Sequence, residues 1–401
     1  MTEPNHPNSN HVVIVGGGVA GLEALLALRA LAGDRVDVTL VSPSEWFIDR
    51  PMTVAEPFGL GSPGRLSLPE ATAECGAEFV PGTVTAVDGP ARRVSCADGR
   101  DVAFDTLILT PGAQAHAAVP DAITFGFEGS GQAIRNMLAA LRSGDARSVA
   151  FVAPSATGWL LPLYELALMT ARELARSNVD GVELRLLTPE DGPLALFGDR
   201  LSEGVGRLLE AAGIDSLHAS FAKLDEGGLM YGAIGQESTD YVVTLPVLSG
   251  PGLAGVPASE AHGFIPVNEY GQVTGLEDAY AAGDAIDFPV KQGGLAAQQA
   301  DSVAEHVAAR YGADVEPAPL RPTLRGMLFS GGEPLYMRSN VPGADPDVPG
   351  AWYPLWWPPT KVAGRYLGPY LFERGDEDRL GAPPMGFVDV DLPLAQMTLP
   401  G

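Results

Sequence analysis

A glycine-rich turn near the start of the chain constrains the fold more than any other feature. In the segment VVIVGGGVAGLEA, Gly16, Gly18 and Gly21 have the spacing G-x-G-x-x-G. The apolar run 11–15 before the turn predicts a buried parallel strand, and the Ala- and Leu-rich run 19–32 after it predicts a helix. Between a strand and a helix, such glycines allow a tight turn, close approach of backbone to a pyrophosphate, and close helix–strand packing. The turn therefore predicts a dinucleotide-binding site.

The next segment completes a strand–helix–strand unit. Residues 35–41 are rich in β-branched side chains and predict the second strand. The pyrophosphate would rest on the free N–H groups of the helix N-terminus, at Val19 and Ala20. The second strand is expected to end at an acid that binds the ribose hydroxyls. Here Ser42 occupies that position and Glu45 is the nearest carboxylate, so we assign both residues to the ribose end of the site.

Length and charge exclude several classes of protein. The 401 residues are too many for one ordinary core. Acidic residues outnumber basic ones 50 to 25, and the net charge of −25 repels nucleic-acid phosphates and anionic lipids. We therefore expect no nucleic-acid partner and at most a peripheral membrane contact. Residues 1–10 lack the basic end and apolar run of a signal peptide, which predicts a cytoplasmic protein. The six histidines show no metal-ligand spacing, so no metal site is predicted.

Strands and helices alternate again further along the chain. The predicted elements are a β-rich segment over 77–110, strands over 148–153 and 182–187, helices over 161–176 and 200–212, and a strand, Gly-Asp turn and long helix over 277–311. From residue 320 the composition shifts towards Pro and Trp, and six prolines between 341 and 359 exclude a regular helix there. The pattern predicts an α/β protein that ends in short elements.

Two segments resemble signatures of flavoproteins with two dinucleotide-binding domains. They are FDTLILTPGA (104–113), with Thr110, Pro111 and Gly112, and the stretch 278–308, which contains Gly283-Asp284. The resemblance implies that FAD is the cofactor. It also implies that the Asp284 carboxylate accepts a hydrogen bond from the ribityl chain.

Further segments are similar to sulfide:quinone oxidoreductases, flavocytochrome c sulfide dehydrogenases and, more loosely, type II NADH dehydrogenases. They are VKQGGLAAQQA (290–300), FIDRPM (47–52), and C-terminal stretches at 324–337 and 356–367. In those families, the helix that begins within the segment corresponding to 290–300 points its N-terminus at the pyrimidine edge of the flavin. The helix dipole favours negative charge there. The further cofactor-binding residues that we predict are Arg50, Pro51, Val84, Gln292, Gly293 and Gly294.

The resemblance covers essentially the whole chain. It implies two Rossmann-like FAD/NAD(P)-binding domains, each with three ββα layers, and a small C-terminal appendage. We place the first part of the FAD domain at 1–113, the second Rossmann-like domain at 114–246, the rest of the FAD domain at 247–319 and the appendage at 320–401.

The sequence departs from those families at two places. Members that handle sulfide use a redox-active cysteine pair beside the flavin, but Cys75 and Cys96 are the only cysteines and match neither position. We therefore interpret both as structural. A second glycine-rich loop, expected for NAD(P)H, is replaced by Pro154-Ser155-Ala156-Thr157-Gly158-Trp159. Since Pro154 removes a backbone donor, we expect the second domain to keep its fold without binding the nucleotide.

Two residues are candidates for the chemistry. Glu165 lies in the first turns of the 161–176 helix, where related quinone reductases place a glutamate that faces the flavin. A buried carboxylate there can relay protons, although a role at the helix surface or as a partner of the N-terminal helix dipole fits equally well. Lys291 precedes the flavin-facing helix and can pair with negative charge on the reduced ring, or be a plain surface lysine.

An aromatic cluster remains open to two interpretations. Trp352, Tyr353, Trp356 and Trp357 can form a quinone channel wall or a foot on a membrane surface. They can also form a cap that packs on the FAD domain, which we favour.

The sequence therefore predicts an FAD-dependent oxidoreductase that passes electrons from an undetermined donor to a quinone or another small acceptor, without a cysteine relay. Two alternatives stay open. One is an NAD(P)H:acceptor oxidoreductase with an atypical nucleotide loop, and the other is a non-catalytic FAD-binding sensor or interaction protein. A homodimer is also left open.

Overall fold

The computed structural model describes residues 10–153, 158–218, 222–225, 228–231, 235–340, 350–351 and 354–374. The α-helices there are α1 (Val19–Ala32), α2 (Leu68–Glu74), α3 (Ser130–Ser143), α4 (Leu161–Arg176), α5 (Asp199–Ala211), α6 (Gly293–Arg310) and α7 (Leu367–Arg374). The strands are β1 (His11–Val15), β2 (Asp37–Ser42), β3 (Trp46–Ile48), β4 (Arg65–Ser67), β5 (Glu78–Pro81), β6 (Val84–Asp88), β7 (Arg93–Cys96), β8 (Asp101–Ala103), β9 (Thr106–Leu109), β10 (Gln114–His116), β11 (Ile123–Thr124), β12 (Ser148–Val152), β13 (Glu183–Thr188), β14 (Ile214–His218), β15 (Ala222–Asp225), β16 (Gly228–Tyr231), β17 (Gly235–Glu237), β18 (Tyr241–Thr244), β19 (Val247–Ser249), β20 (Ala279–Ala281), β21 (Thr323–Leu328), β22 (Leu335–Asn340) and β23 (Gly350–Ala351).

The first sheet is parallel and buried on both faces. Its strand order is β20-β9-β1-β2-β5. Val12 and Ile14 of β1 pack against α1 and α6, whereas Val13 and Val15 pack against the antiparallel sheet β6-β7-β8. Because successive strand residues point to opposite faces of a sheet, the apolar strand β1 contributes to two cores, one on each face. The helices, the parallel sheet and the antiparallel sheet therefore form three layers. The predicted three-layer ββα arrangement is confirmed here.

The second sheet is also parallel, with strand order β11-β18-β12-β13-β14. Its core includes Leu138 of α3, Leu166 of α4 and Val205 of α5. The predicted α/β fold class with Rossmann-like units is therefore confirmed. The two sheets draw on the segments 11–109 with 279–281 and 123–244 respectively. The exact domain boundaries stay a prediction.

Two local elements differ from the sequence expectation. The second strand begins at Asp37 and not at residue 35, because Gly33, with φ +56°, turns the chain into a 3₁₀ turn, Gly33–Arg35. The segment β5, expected in the β-rich excursion, pairs in parallel with β2 and belongs to the first sheet. The excursion is thus limited to β6, β7 and β8.

The C-terminal segment packs on both parts of the fold. The sheet β21-β22-β23 is antiparallel, and its residues Leu324 and Met337 join the core of the second sheet. At the start of α7, the Tyr366 and Leu367 N–H groups donate to the buried Glu23 carboxylate of α1, at 2.8 and 2.7 Å. In the described part of the chain, no helix has the length and apolar character needed to cross a membrane.

Candidate active site

A pocket of about 540 Å³ opens at the carboxyl ends of β1, β2, β9 and β20. Ligands in open parallel sheets bind at this edge, and the volume lies within the range of ligand sites. We call it the central pocket. The sequence-predicted residues that line it are Gly16, Gly18, Val19, Ala20, Ser42, Arg50, Pro51, Thr110, Pro111, Gly112, Glu165, Gly283, Asp284, Lys291, Gln292 and Gly293.

The glycine turn has the geometry that an anionic dinucleotide needs. A Cβ atom at Gly16 would lie 2.2 Å from the Thr110 carbonyl oxygen, and one at Gly21 would lie 1.8 Å from the Gly16 oxygen. A Cβ at Gly18 would meet no atom within 4 Å, because that position faces the pocket. The first turn of α1 carries neither a side-chain cap nor an acid, so its N–H groups are free to bind a pyrophosphate. This set of donors fits the FAD that the resemblance implies.

Four predicted cofactor residues do not line the pocket. Gly21 supports the close contact of α1 with the preceding turn, Glu45 is exposed, and Val84 is buried in the core beside the antiparallel sheet. Gly294 lies in the first turn of α6 against the Gln292 side chain. Their roles in FAD binding stay predictions.

Next to the first turn of α1, the central pocket contains the half-buried Asp284 carboxyl and the start of α6. Burial raises the pKa of Asp284, and the nearby Lys291 and Arg50 charges oppose that rise. The Gln292 side chain caps α6 by accepting from the Leu295 N–H at 2.8 Å. Because its amide also donates to the Arg325 carbonyl oxygen at 3.1 Å, Gln292 fixes the helix terminus against β21.

Lys291 lines the pocket, but its ammonium group has partners inside the protein. It donates to the Ile286 carbonyl oxygen and lies 3.5 Å from the Phe264 ring centroid. Burial lowers the pKa of Lys291 to about 8, while Asp284 and Asp287 act in the opposite direction. In the structure, the contacts of the Lys291 ammonium group are thus with Ile286 and Phe264. Its pairing with the reduced flavin ring remains a prediction.

Glu165 takes part in a buried ion pair in the wall of the central pocket. Its side chain is 0% exposed, and both carboxylate oxygens lie 2.6 Å from the Lys361 Nζ, which is 6% exposed. The Phe329 N–H donates to the same carboxylate at 2.8 Å. Burial raises the pKa of Glu165, and Lys361 and the Phe329 N–H pull it back down. Of the two interpretations made from sequence, the helix-surface one is wrong, because this side chain is completely buried.

A second carboxyl lies close to Lys361. Burial raises the pKa of Asp49 to about 6, and the charge of Lys361 opposes part of the rise. The Asp49 Oδ1 atom is buried and has no hydrogen-bond partner in the described part of the chain. We therefore expect Asp49 to change protonation near pH 6, close to the Glu165–Lys361 pair.

Sequence reasoning missed Lys361 and Asp49, as well as the apolar wall of the pocket. The chain has three lysines, Lys223, Lys291 and Lys361, and their rarity was the one available signal for Lys361. The apolar side chains that complete the wall are Trp46, Phe47, Ile48, Phe125, Trp159, Leu245, Pro246, Leu248 and Met327. They come from five separate stretches of the chain, at 46–48, 125, 159, 245–248 and 327, so no single segment of sequence identifies them.

Neither cysteine belongs to the central pocket. Cys75 is buried in the core around α1, and Cys96 is buried beside the antiparallel sheet. Burial raises the pKa of both thiols, which keeps them protonated and poorly nucleophilic. A structural role for both agrees with these positions.

The second sheet has an acid where dinucleotide-binding units hold the ribose, but this acid faces inward. Glu190 follows β13 and accepts a hydrogen bond from the Tyr164 hydroxyl of α4 at 2.6 Å. The backbone N–H groups of Leu194 and Ala195 also bind it. Residues 154–157 of the atypical loop lie outside the described residues. The Glu190 carboxylate is thus already hydrogen-bonded by residues of its own domain.

The described part of the aromatic cluster packs on the C-terminal segment. The Trp356 indole donates to the Thr360 carbonyl oxygen at 3.0 Å and meets Tyr336 edge to face. Trp357 meets Phe372 of α7 in the same way. Neither tryptophan is part of the central pocket wall, and Trp352 and Tyr353 lie outside the described residues.

Comparisons with known proteins agree with this geometry. Residues 10–304 match the family model described as pyridine nucleotide-disulphide oxidoreductase. The oxidoreductase ptaL of Pestalotiopsis fici is 26% identical over 346 residues, covering 79% of this chain and 88% of that protein. An NADH dehydrogenase-like protein of Mycobacterium tuberculosis, Rv1812c, is 26% identical over 293 residues, covering 68% and 72%.

A solved structure shares the fold over most of its length. The sulfide:quinone oxidoreductase of Aquifex aeolicus matches with a TM-score of 0.79 at 18% identity, covering 86% of this chain and 87% of that one. At this identity the match concerns the arrangement of the elements.

Proposed function

Because this chain belongs to the pyridine nucleotide-disulphide oxidoreductase family and is an FAD-dependent oxidoreductase, we propose that it delivers electrons to a quinone or another small acceptor without a cysteine relay. The observation that carries the proposal is the buried Glu165–Lys361 pair in the wall of the central pocket. The electron donor is left undetermined.

The bound FAD supplies the hydride and one-electron chemistry, and the protein supplies position, charge and protons. Reduction of a quinone to a quinol takes up two electrons and two protons. The Lys361 Nζ donates hydrogen bonds at 2.6 Å to Glu165, whose pKa burial raises. Groups with pKa values moved towards neutrality are suited to proton transfer. When one hydrogen is transferred as hydride, the acceptor needs one further proton. We infer that this pair holds that proton and that Asp49 replenishes it.

Two observations favour this function over its alternatives. Both cysteines are buried away from the pocket, which argues against a disulfide or persulfide relay. Glu190, the acid placed for the adenosine ribose of a nicotinamide dinucleotide, accepts a hydrogen bond from the Tyr164 hydroxyl. Because Tyr164 and the Leu194 and Ala195 N–H groups already hold this carboxylate within its own domain, we propose that NAD(P)H is not the ordinary donor.

The acceptor half of the reaction is testable without knowing the donor. The FAD-loaded protein is photoreduced under anaerobic conditions and mixed with menadione, and flavin reoxidation is followed by absorbance. We expect rapid reoxidation by the parent protein. Glu165→Gln should slow it by about 100-fold and weaken its pH dependence, since general acid catalysis contributes roughly 10²–10⁴-fold. Glu203→Gln on α5 is the control and should react like the parent.

The same preparation distinguishes the alternatives. Fast bleaching of the oxidised protein by NADH or NADPH would instead make it an NAD(P)H oxidoreductase. A firmly bound flavin that neither these donors nor sulfide reduce, and that menadione does not reoxidise after photoreduction, would support a non-catalytic FAD-binding protein. The Cys75→Ser/Cys96→Ser variant should match the parent at every step; a loss of reoxidation in it would contradict the absence of a cysteine relay.

A further inference from the structure

A second cavity, of about 680 Å³, lies along α4 away from the central pocket. Its walls come from the C-terminal half of α4, from the segment 58–60 that ends the 3₁₀ turn Glu56–Phe58, and from Gly331 after β21. We call it the α4 cleft. Its size lies within the range of small-molecule sites, and none of its lining residues belongs to the central pocket.

One end of the α4 cleft is apolar. Leu60 is 55% exposed beside it, the half-buried Phe58 forms the adjacent wall, and Met169 of α4 lies at its base, almost completely buried. A leucine and a phenylalanine left partly in water at a concave surface can be covered favourably by an apolar body. This end therefore suits the hydrocarbon part of a ligand.

The other end carries arginines, and its only acid is already neutralised. The Glu173 carboxylate accepts from Arg142 at 2.9 Å and from Arg176 at 2.9 to 3.0 Å. Burial acts to raise the pKa of Glu173, but the hydrogen bonds from Arg176 and Arg142 outweigh it and hold the pKa below its ordinary value. Glu173 therefore stays ionised and has no capacity to neutralise a further cation.

Arg172 provides the charge that Glu173 does not balance. It lines the cleft, and no carboxylate of the described residues lies within ion-pair distance of it. Arg172 is exposed, and the first carbons of its side chain pack against Gly331, where a Cβ atom would lie only 2.7 Å from the Arg172 Cγ. With Arg172, Arg176 and Glu173 the lining has a net charge of +1, in a protein of net charge −25.

We propose that the α4 cleft binds a small amphipathic carboxylate. The carboxylate lies at Arg172, with Arg176 beside it, and the hydrocarbon body covers Phe58, Leu60 and Met169. Arginine suits this head group because its planar N–H donors match the two carboxylate oxygens. Binding here is separate from electron transfer and does not depend on the proposed acceptor.

The test is isothermal titration calorimetry of the FAD-loaded protein with decanoate at submicellar concentration. We expect saturable binding that weakens as salt is added. Arg172→Gln should weaken it by about 10-fold or more, the loss expected for a charge-assisted hydrogen bond. Leu60→Ser should weaken it as well, since it removes apolar contact. Arg207→Gln, on the exposed side of α5, is the matched control and should bind like the parent.

Two simpler probes separate the contributions of the carboxylate head group and of the hydrocarbon body to the binding affinity. Acetate has the charge without the hydrocarbon body, and decan-1-ol has the body without the charge; we expect both to bind at least 10-fold more weakly than decanoate. The proposal is overturned if decanoate does not bind the parent, if Arg172→Gln binds it with unchanged affinity, or if decan-1-ol binds as tightly. The visible flavin spectrum of each variant verifies that it is folded and loaded.

Discussion

At the scale of single residues, the three glycines of the first turn have different physical roles. Gly16 and Gly21 are required by close backbone contacts, at 2.2 and 1.8 Å from a hypothetical Cβ. Gly18 has an ordinary φ of −83° and open space where a side chain would go. A side chain at Gly18 is therefore tolerated by the fold and obstructs only the pocket.

This difference gives a prediction for Gly18→Val. The variant should fold, because nothing lies within 4 Å of the new Cβ, but the side chain should occupy the place where the pyrophosphate approaches the backbone. We expect a far-ultraviolet circular dichroism spectrum like that of the parent and an FAD content reduced by at least about 10-fold. The flavin absorbance per mole of protein measures the FAD content.

Gly332→Val is the control, since a Cβ at Gly332 also meets nothing within 4 Å and the residue is outside the central pocket. It should retain its flavin. A fully flavinated Gly18→Val protein would rule out the assignment of the pyrophosphate site.

At the scale of elements, a pair of carboxyls joins three helices. Glu23 of α1 is completely buried close to Asp301 of α6, while its oxygens accept from the Tyr366 and Leu367 N–H groups at the start of α7. Burial raises the pKa of Asp301 to about 9, and the negative charge of Glu23 adds to the rise. The charged groups around the pair are Arg365, which lowers this pKa, and Glu305, which raises it. We therefore infer that the two acids share one proton at neutral pH.

The shared proton makes stability depend on pH in a defined direction. Unfolded Asp loses its proton near pH 3.9, whereas folded Asp301 keeps it up to about pH 9. Between these values the folded state binds more protons, so the free energy of unfolding falls as pH rises. Asp301→Asn cannot ionise and still offers an N–H to Glu23. It should raise Tm by about 2 °C or more near pH 8.5 and by less near pH 5.

Differential scanning calorimetry at the two pH values measures the effect. Asp314→Asn, at an exposed site after α6, should change Tm at neither pH. An Asp301→Asn variant that is destabilised most at the higher pH would show that Asp301 is ionised in the fold, contrary to the inference.

At the scale of the whole molecule, the ion pair between Lys361 and Glu165 links distant parts of the chain. Lys361 belongs to the C-terminal segment and Glu165 to a helix on the second sheet, yet they meet in the wall of a pocket at the edge of the first sheet. Lys361 also lies 4.4 Å from the centroid of the Phe329 ring. A buried pair of this kind contributes little net stability, but removing one partner is costly.

Lys361→Met should therefore lower the free energy of unfolding by about 3–5 kcal/mol, the cost of a buried charge without its partner. Glu165→Gln/Lys361→Met should recover most of that loss, because no charge is left buried and the Gln oxygen can still accept from the Phe329 N–H. Urea unfolding followed by fluorescence compares the two. A double variant no more stable than Lys361→Met alone would contradict the charge-burial explanation.

The sequence predicted the fold closely because its signals are local. The helices 19–32 and 161–176 were predicted at the bounds that the structure has, since Ala, Leu and a turn or proline at their ends determine them. The same holds for the family and for FAD, which depend on motifs of a dozen residues. The start of β2 was misplaced because the 3₁₀ turn after Gly33 depends on one backbone angle.

The site was predicted only in part. Whether a feature could be predicted depends on how far apart its residues lie in the sequence. By itself the sequence determined the glycine turn, the strand ends and the start of α6, because each is a short pattern whose residues remain neighbours in the fold. Tertiary structure alone decided that Lys361 pairs with Glu165, 196 residues away, that Asp301 shares a proton with Glu23, and that Glu190 faces Tyr164. The charge and pKa of a buried group depend on desolvation and on its nearest partners, and those are known only once distant segments have packed together.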